Sequence, residues 1–114
     1  MVKVMSRERT YSKYTSEALK LLGKQIRLGR KQRKWTESEL ASRAGISRAT
    51  VQKIEKGDPG CVIGLMFEAA TLVGVNLFES DLNSITMDID RVKDKIALLP
   101  KSVRTVKREV FDEF

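Results

Sequence analysis

Apolar residues recur at helical spacing in several places along the chain, separated by polar or turn-forming residues. Ala18, Leu19, Leu22 and Ile26 make a stripe that predicts a first helix over about residues 16–33, with Lys20, Lys24, Arg27, Lys31 and Arg33 on its other faces. Leu40 and Ala41 share one face of a short second helix, and Val51 and Ile54 mark the inward face of a third. Ala44-Gly45-Ile46 is the corner between them, because Gly45 tolerates the left-handed backbone that a sharp turn requires. Ser47 follows as an N-cap, and Thr36 with Glu39 three residues on has the form of a capping box. Gly57-Asp58-Pro59-Gly60 stops the pair, and Val62 to Val73 reads as a mostly buried fourth helix with Met66 and Phe67 in the core.

The last third carries a different pattern. Phe78, Leu82, Ile85, Ile89, Val92, Ile96, Leu99, Val103, Val106 and Val110 recur at alternating spacings of four and three, a heptad stripe flanked by charges. This predicts an amphipathic helix over about residues 87–99 that seeks a partner, interrupted by Pro100. Ile85, Ile89, Val92, Ile96 and Leu99 are its candidate dimer or partner contacts. A second possibility is local: Ile85, Met87 and Ile89 alternate, and a short strand there could pair across a dimer axis. The basic stretch that follows ends in Phe111-Asp112-Glu113-Phe114, either a solvated tail or a partner-binding tip using Phe111 and Phe114. Residues 1–14 are basic and lack helical period; they read either as a frayed terminus or as an arm laying Lys3, Arg7, Arg9 and Lys13 along phosphates or in a minor groove.

Composition narrows the chemistry. The 114 residues hold one small domain and an extension, and no apolar run approaches the ~18 residues needed to span a bilayer. With no leader-like segment and the single Cys61, a cytoplasmic protein is expected. The absence of histidine excludes Ser-His and Cys-His nucleophile pairs and most zinc sites, and Gly23 and Gly29 lack the context of a phosphate loop. No catalysis, metal or cofactor is therefore expected. Charge is asymmetric: residues 1–60 hold 15 Lys and Arg against 6 Asp and Glu, a balance of +9, whereas residues 61–114 hold 7 against 9, a balance of −2. A polyanion-binding front half and a back half with another task follow from that division.

The stretch from Leu22 to Phe78 resembles the helix-turn-helix domain of the Xre family, relatives of the lambdoid phage repressors. Ile26, Arg30, Leu40-Ala41, Gly45-Ile46-Ser47, Val51, Ile54-Glu55 and Gly57 carry the resemblance together. It implies an all-α fold, a five-helix lambda-repressor-like domain over residues 16–80, here preceded by a basic arm (1–15) and followed by a C-terminal helical and tail extension for dimerisation or partner binding (81–114). It implies that Gly74 to Phe78 leads into a short fifth helix, that Arg30 and Glu55 form a buried ion pair, and that Arg27, Lys31 and Lys34 lie near phosphates. Trp35, where the family carries an apolar residue, is expected to line the core.

A recognition helix in the major groove of double-stranded DNA reads bases with its first turns. On that geometry Arg48, Ala49, Gln52 and Lys53 are the candidate base readers: Arg48 for guanine, Gln52 for adenine and Ala49 for a thymine methyl. Ser47, Thr50 and Lys56 are placed for phosphates. One departure stands out. The family commonly has a phosphate-anchoring glutamine where this chain has Glu37, whose carboxylate is expected instead to favour the positive end of the second helix. The tail, leucine-proline-lysine, basic residues, then acids and a final phenylalanine, is similar to those of Xre-type antitoxins encoded beside HipA-type kinase toxins. It implies an autoregulating homodimeric repressor, nucleoid-associated when bound to its operator, with a kinase-type toxin as partner.

Overall fold

A computed structural model describes residues 9–78 and 81–102. Every regular element among them is a helix: α1 (Lys13–Gln32), α2 (Glu37–Ala44), α3 (Arg48–Lys56), α4 (Ile63–Leu72) and α5 (Leu82–Ala97). The described residues are all-α, as the family resemblance implies. It divides into two compact units, Met1–Phe78 and Glu79–Phe114.

In the first unit, α3 packs against α1 and α2, and α2 against α4. Ile26 of α1, Leu40 of α2, and Val51 and Ile54 of α3 are its largest fully buried side chains, closed from below by Ala69, Ala70 and Val73. Burial of each large aliphatic side chain contributes roughly 1.5–3 kcal/mol. Close approach of α1 to α3 depends on Gly23, where an added Cβ would stand 2.6 Å from the Ile54 carbonyl oxygen and 2.7 Å from that of Glu55. Trp35 packs against the core with Arg43 4.2 Å and Arg33 5.8 Å from its ring centre. Phe67 is half-buried rather than core, stacked on Phe78 at 6.1 Å.

Three boundaries differ from the sequence reading. Helix α1 starts at Lys13, because the Ser12 hydroxyl accepts the Thr15 N–H at 3.1 Å and caps it; residues 13–15 thus belong to α1, and Ala18 faces solvent. No short helix follows Gly74 in the first unit among the described residues; Val75 N–H instead closes onto the Ala70 carbonyl at 2.8 Å, and the fifth helix is the sixteen-residue α5. That helix begins at Leu82, not near Met87, because the Asp81 carboxylate accepts the Ser84 N–H at 2.8 Å. Ile85, Met87 and Ile89 are all inside it, so the alternating strand is not formed. No helix among the described residues is long and apolar enough to cross a membrane.

Candidate nucleic-acid interface

Local chemistry sets the two short helices. Thr36 Oγ1 accepts the Glu39 N–H at 3.0 Å while Glu39 Oε1 accepts the Thr36 N–H at 2.7 Å, a complete capping box at the start of α2. Gly45 ends α2 with φ 70° and ψ 34°, and the Ile46 N–H returns to the Ala41 carbonyl at 3.0 Å. Two residues later Ser47 Oγ accepts the Thr50 N–H at 3.1 Å and opens α3. Three residues therefore connect the helices, each held by bonds within its own segment.

From behind, α3 is tied to α1 by charge. Arg30 Nε donates to Glu55 Oε2 at 2.7 Å and Arg30 Nη2 to Glu55 Oε1 at 3.0 Å, with both side chains buried. The third nitrogen, Nη1, donates to the Trp35 carbonyl at 3.0 Å, so one guanidinium joins α1, α3 and the α1–α2 connection. Hydrogen bonding to the Glu55 carboxylate raises the Arg30 pKa against the opposing effect of burial.

With Val51, Ile54 and Glu55 turned inward, Arg48, Ala49 and Lys53 are exposed and Gln52 half-exposed on the outward side of α3. Arg27 and Lys31 meet Arg48 around one shallow hollow of ≈360 Å³, and Arg27 and Lys56 meet Gln52 around a second of ≈250 Å³. Ser47 and Thr50 hydroxyls bond each other at 2.9 Å, which leaves one of the two O–H groups to donate outward. Lys34 stands apart from both hollows; it closes α1 in the left-handed region at φ 62°.

Glu37 borders both hollows and does something the sequence reading missed. Its Oε1 accepts from Arg48 Nε at 3.0 Å and from Gln52 Nε2 at 2.9 Å. The Gln52 amide, and next the Arg48 guanidinium, hold the Glu37 carboxyl below the ordinary glutamate pKa. A carboxylate at the first position of α2 and an arginine at the first position of α3, joined by a short turn, was the available signal.

The remaining sequence candidates fall in the second unit. Ile85, Ile89, Val92 and Ile96 share α5, where Ile85 is half-exposed and the others exposed. Leu99 lies beyond the helix and is exposed. Phe111 and Phe114 lie outside the described residues, as do Lys3 and Arg7; Arg9 is exposed, 5.3 Å from the Tyr11 ring centre.

Residues 26–60 match the family model described as HTH_3, helix-turn-helix. Residues 26–60 thus carry a helix-turn-helix, which the capped helices α2 and α3 and the corner Gly45 build. No curated protein matches the sequence significantly. Among solved structures, the chain is similar to one titled "MDT Protein", at 25% identity and TM-score 0.47 over 66% of this chain and 97% of that one. It is similar at the same identity, score and coverage to a chain of "Structure of HipA-HipB-O2-O3 complex". A chain of a "HipB-O1-O2 complex" is similar at 26% identity and TM-score 0.49, over 65% of this chain and 99% of that one.

Proposed function

We propose that this protein is a sequence-specific transcriptional repressor that binds a two-fold operator as a homodimer, each α3 reading one half-site in the major groove about 34 Å from its twin. One observation carries the reading: α3 presents Arg48, Ala49, Gln52 and Lys53 outward, flanked by Arg27, Lys31 and Lys56 and anchored from behind by the buried Arg30–Glu55 pair. Arginine and glutamine read guanine and adenine edges, and the flanking cations hold register on phosphates. In this division of labour residues 16–80 read DNA, residues 1–15 follow its backbone, and residues 81–114 dimerise or bind a partner. The test is site selection from a random duplex library with the full-length protein, followed by competition at about 150 mM salt. Enrichment of a palindromic motif bound at least 10³-fold more tightly than scrambled duplex is expected; equal affinity for both would reject the reading.

The extension supports a second role compatible with the first: an antitoxin that neutralises a kinase-type toxin and represses its own operon. Supporting it are the exposed stripe on α5 and a tail whose sequence resembles those of antitoxins paired with HipA-type kinases. Co-expression with a kinase encoded beside the gene should restore growth, and deletion of residues 99–114 should abolish that rescue. A deletion that rescues as well as the full chain would remove this role and leave the repressor.

A further inference from the structure

The two side chains best suited to read bases are bonded to one carboxylate oxygen in the free protein. Two outcomes are conceivable for such a contact. It can compete with DNA for the readers, or it can aim them. The donors involved decide between these. Arg48 gives Glu37 its Nε hydrogen only, leaving all four hydrogens of its terminal nitrogens for the parallel pair of bonds to guanine O6 and N7. Gln52 gives one Nε2 hydrogen, leaving the other and its carbonyl oxygen for adenine N7 and N6. Neither base contact requires the bond to Glu37 to break.

Building on the repressor reading, we propose that Glu37 is a specificity-determining residue, a carboxylate buttress that fixes Arg48 and Gln52 in their base-reading orientation before DNA arrives. Its position supports this: Glu37 sits at the first turn of α2, on a helix start fixed by the Thr36–Glu39 capping box, so the acceptor is itself held in place. An arginine free to swing at the protein surface can equally grip a phosphate, which carries no sequence information. Fastened through Nε beside a negative charge, Arg48 is a poorer phosphate ligand and a better guanine reader. Glu37 thereby trades non-specific affinity at Arg48 for discrimination, and leaves the phosphates to Arg27 and Lys31, which line the same hollow.

The experiment uses the full-length wild type, Glu37→Gln and Glu37→Ala, with thermal unfolding of each to confirm the fold. The wild type selects its motif from a random duplex library, Arg48→Ala identifies the base pair that Arg48 reads, and each variant is then titrated against the motif and its single-base substitutions across salt concentrations. Glu37→Ala is expected to lose about tenfold discrimination at the Arg48 and Gln52 positions alone, a change of about 1.4 kcal/mol. It should also bind scrambled DNA more tightly with a steeper salt slope. Glu37→Gln, which keeps an acceptor but not the charge, should fall between. Tighter binding to every duplex with discrimination unchanged would show a competitor and overturn the buttress. Uniformly weaker binding with a lowered Tm would reduce Glu37 to a fold residue and overturn it as well. A wild type that selects no motif overturns the repressor reading and this assignment with it, whereas a motif that the variants select identically overturns this assignment alone.

Discussion

Arg30 of α1 and Glu55 of α3 meet through two hydrogen bonds, 2.7 and 3.0 Å long, with hardly any of either side chain reaching water. Such a pair adds little net stability over an apolar one, yet removing one partner strands the other's charge in the core. Glu55→Ala or Arg30→Ala should therefore lower stability by about 3–5 kcal/mol in urea denaturation. Arg30→Lys should fall short of rescue, since an ammonium cannot reproduce the fork that also serves the Trp35 carbonyl. A paired Arg30→Met, Glu55→Leu replacement should recover much of the loss. Near-additive single and double variants would show that the two groups do not act as a unit.

How much of this was written locally in the sequence is visible residue by residue. Thr36 and Glu39, Ser47 and Gly45 set helix ends through partners within a few residues, so the order α1 to α4 follows from reading along the chain. Ser12 and Asp81 do the same for α1 and α5. No apolar stripe begins beside Ser12, whereas beside Asp81 the stripe already runs through Leu82 and Ile85, and both helices start earlier than the sequence reading placed them. Glu37 was read only as a favourable charge at a helix N-terminus. Its partners lie 11 and 15 residues away, and only the crossing of α2 and α3 brings them to one oxygen. Contacts of that kind are absent from a one-dimensional pattern.

Gly23 and Gly64 are both helical glycines, and their alanine variants should move stability in opposite directions. An added Cβ at Gly23 meets backbone oxygens of Ile54 and Glu55 below 3 Å, atoms that cannot rotate away. Gly23→Ala should cost roughly 1–3 kcal/mol through the displacement of α1 from α3, even after the ~1 kcal/mol gained in helix propensity. At Gly64, in the first turn of α4, nothing lies within 4 Å of the added carbon. Gly64→Ala should raise stability by up to ~1 kcal/mol. Thermal unfolding of the two variants side by side checks both signs, and a stabilised Gly23→Ala would contradict the packing of α1 on α3.

Lys34 combines a backbone cost with a proposed binding gain. A side chain in the left-handed region at φ 62° carries strain that glycine does not. Lys34→Gly should therefore stabilise the fold by about 1 kcal/mol. If Lys34 contacts a phosphate, the same variant should bind DNA more weakly on every sequence, with the salt slope reduced by about one. Higher Tm with unchanged DNA affinity at all salt concentrations would remove Lys34 from the interface.

Two carboxylates give the protein an acid limb. The Ser84 backbone N–H, with the Ser84 hydroxyl, holds Asp81 below the ordinary aspartate range, and Gln52 and Arg48 hold Glu37 below that of glutamate. A depressed folded pKa means that the stabilising contribution is complete above the unfolded values, about 3.9 and 4.3, and is lost as pH falls through the folded ones. Helicity and Tm should be insensitive to these groups from neutral pH to about pH 5 and should fall below it. Asp81→Ala should flatten part of that acid loss and lower α5 helicity at neutral pH. An unchanged acid limb in Asp81→Ala would assign the effect elsewhere.

The stripe on α5 sets the last prediction. At sixteen residues the helix is about 24 Å long, little beyond the ~12–15 residues below which isolated helices are marginal in water. None of its residues is buried, and Ile89, Val92 and Ile96 each expose more than half their surface. A helix with that pattern gains its stability by covering the stripe, and a second copy of the same stripe provides a self-complementary cover through heptad packing. Ile89→Asp with Ile96→Asp should therefore convert a dimer to a monomer in sedimentation and lower the helical signal. Operator affinity should fall at least a hundredfold while affinity for a single half-site remains, because two tethered recognition helices share one association event. A variant that sediments as a dimer and binds operator like the wild type would place dimerisation in the first unit and release the α5 stripe for a different protein partner.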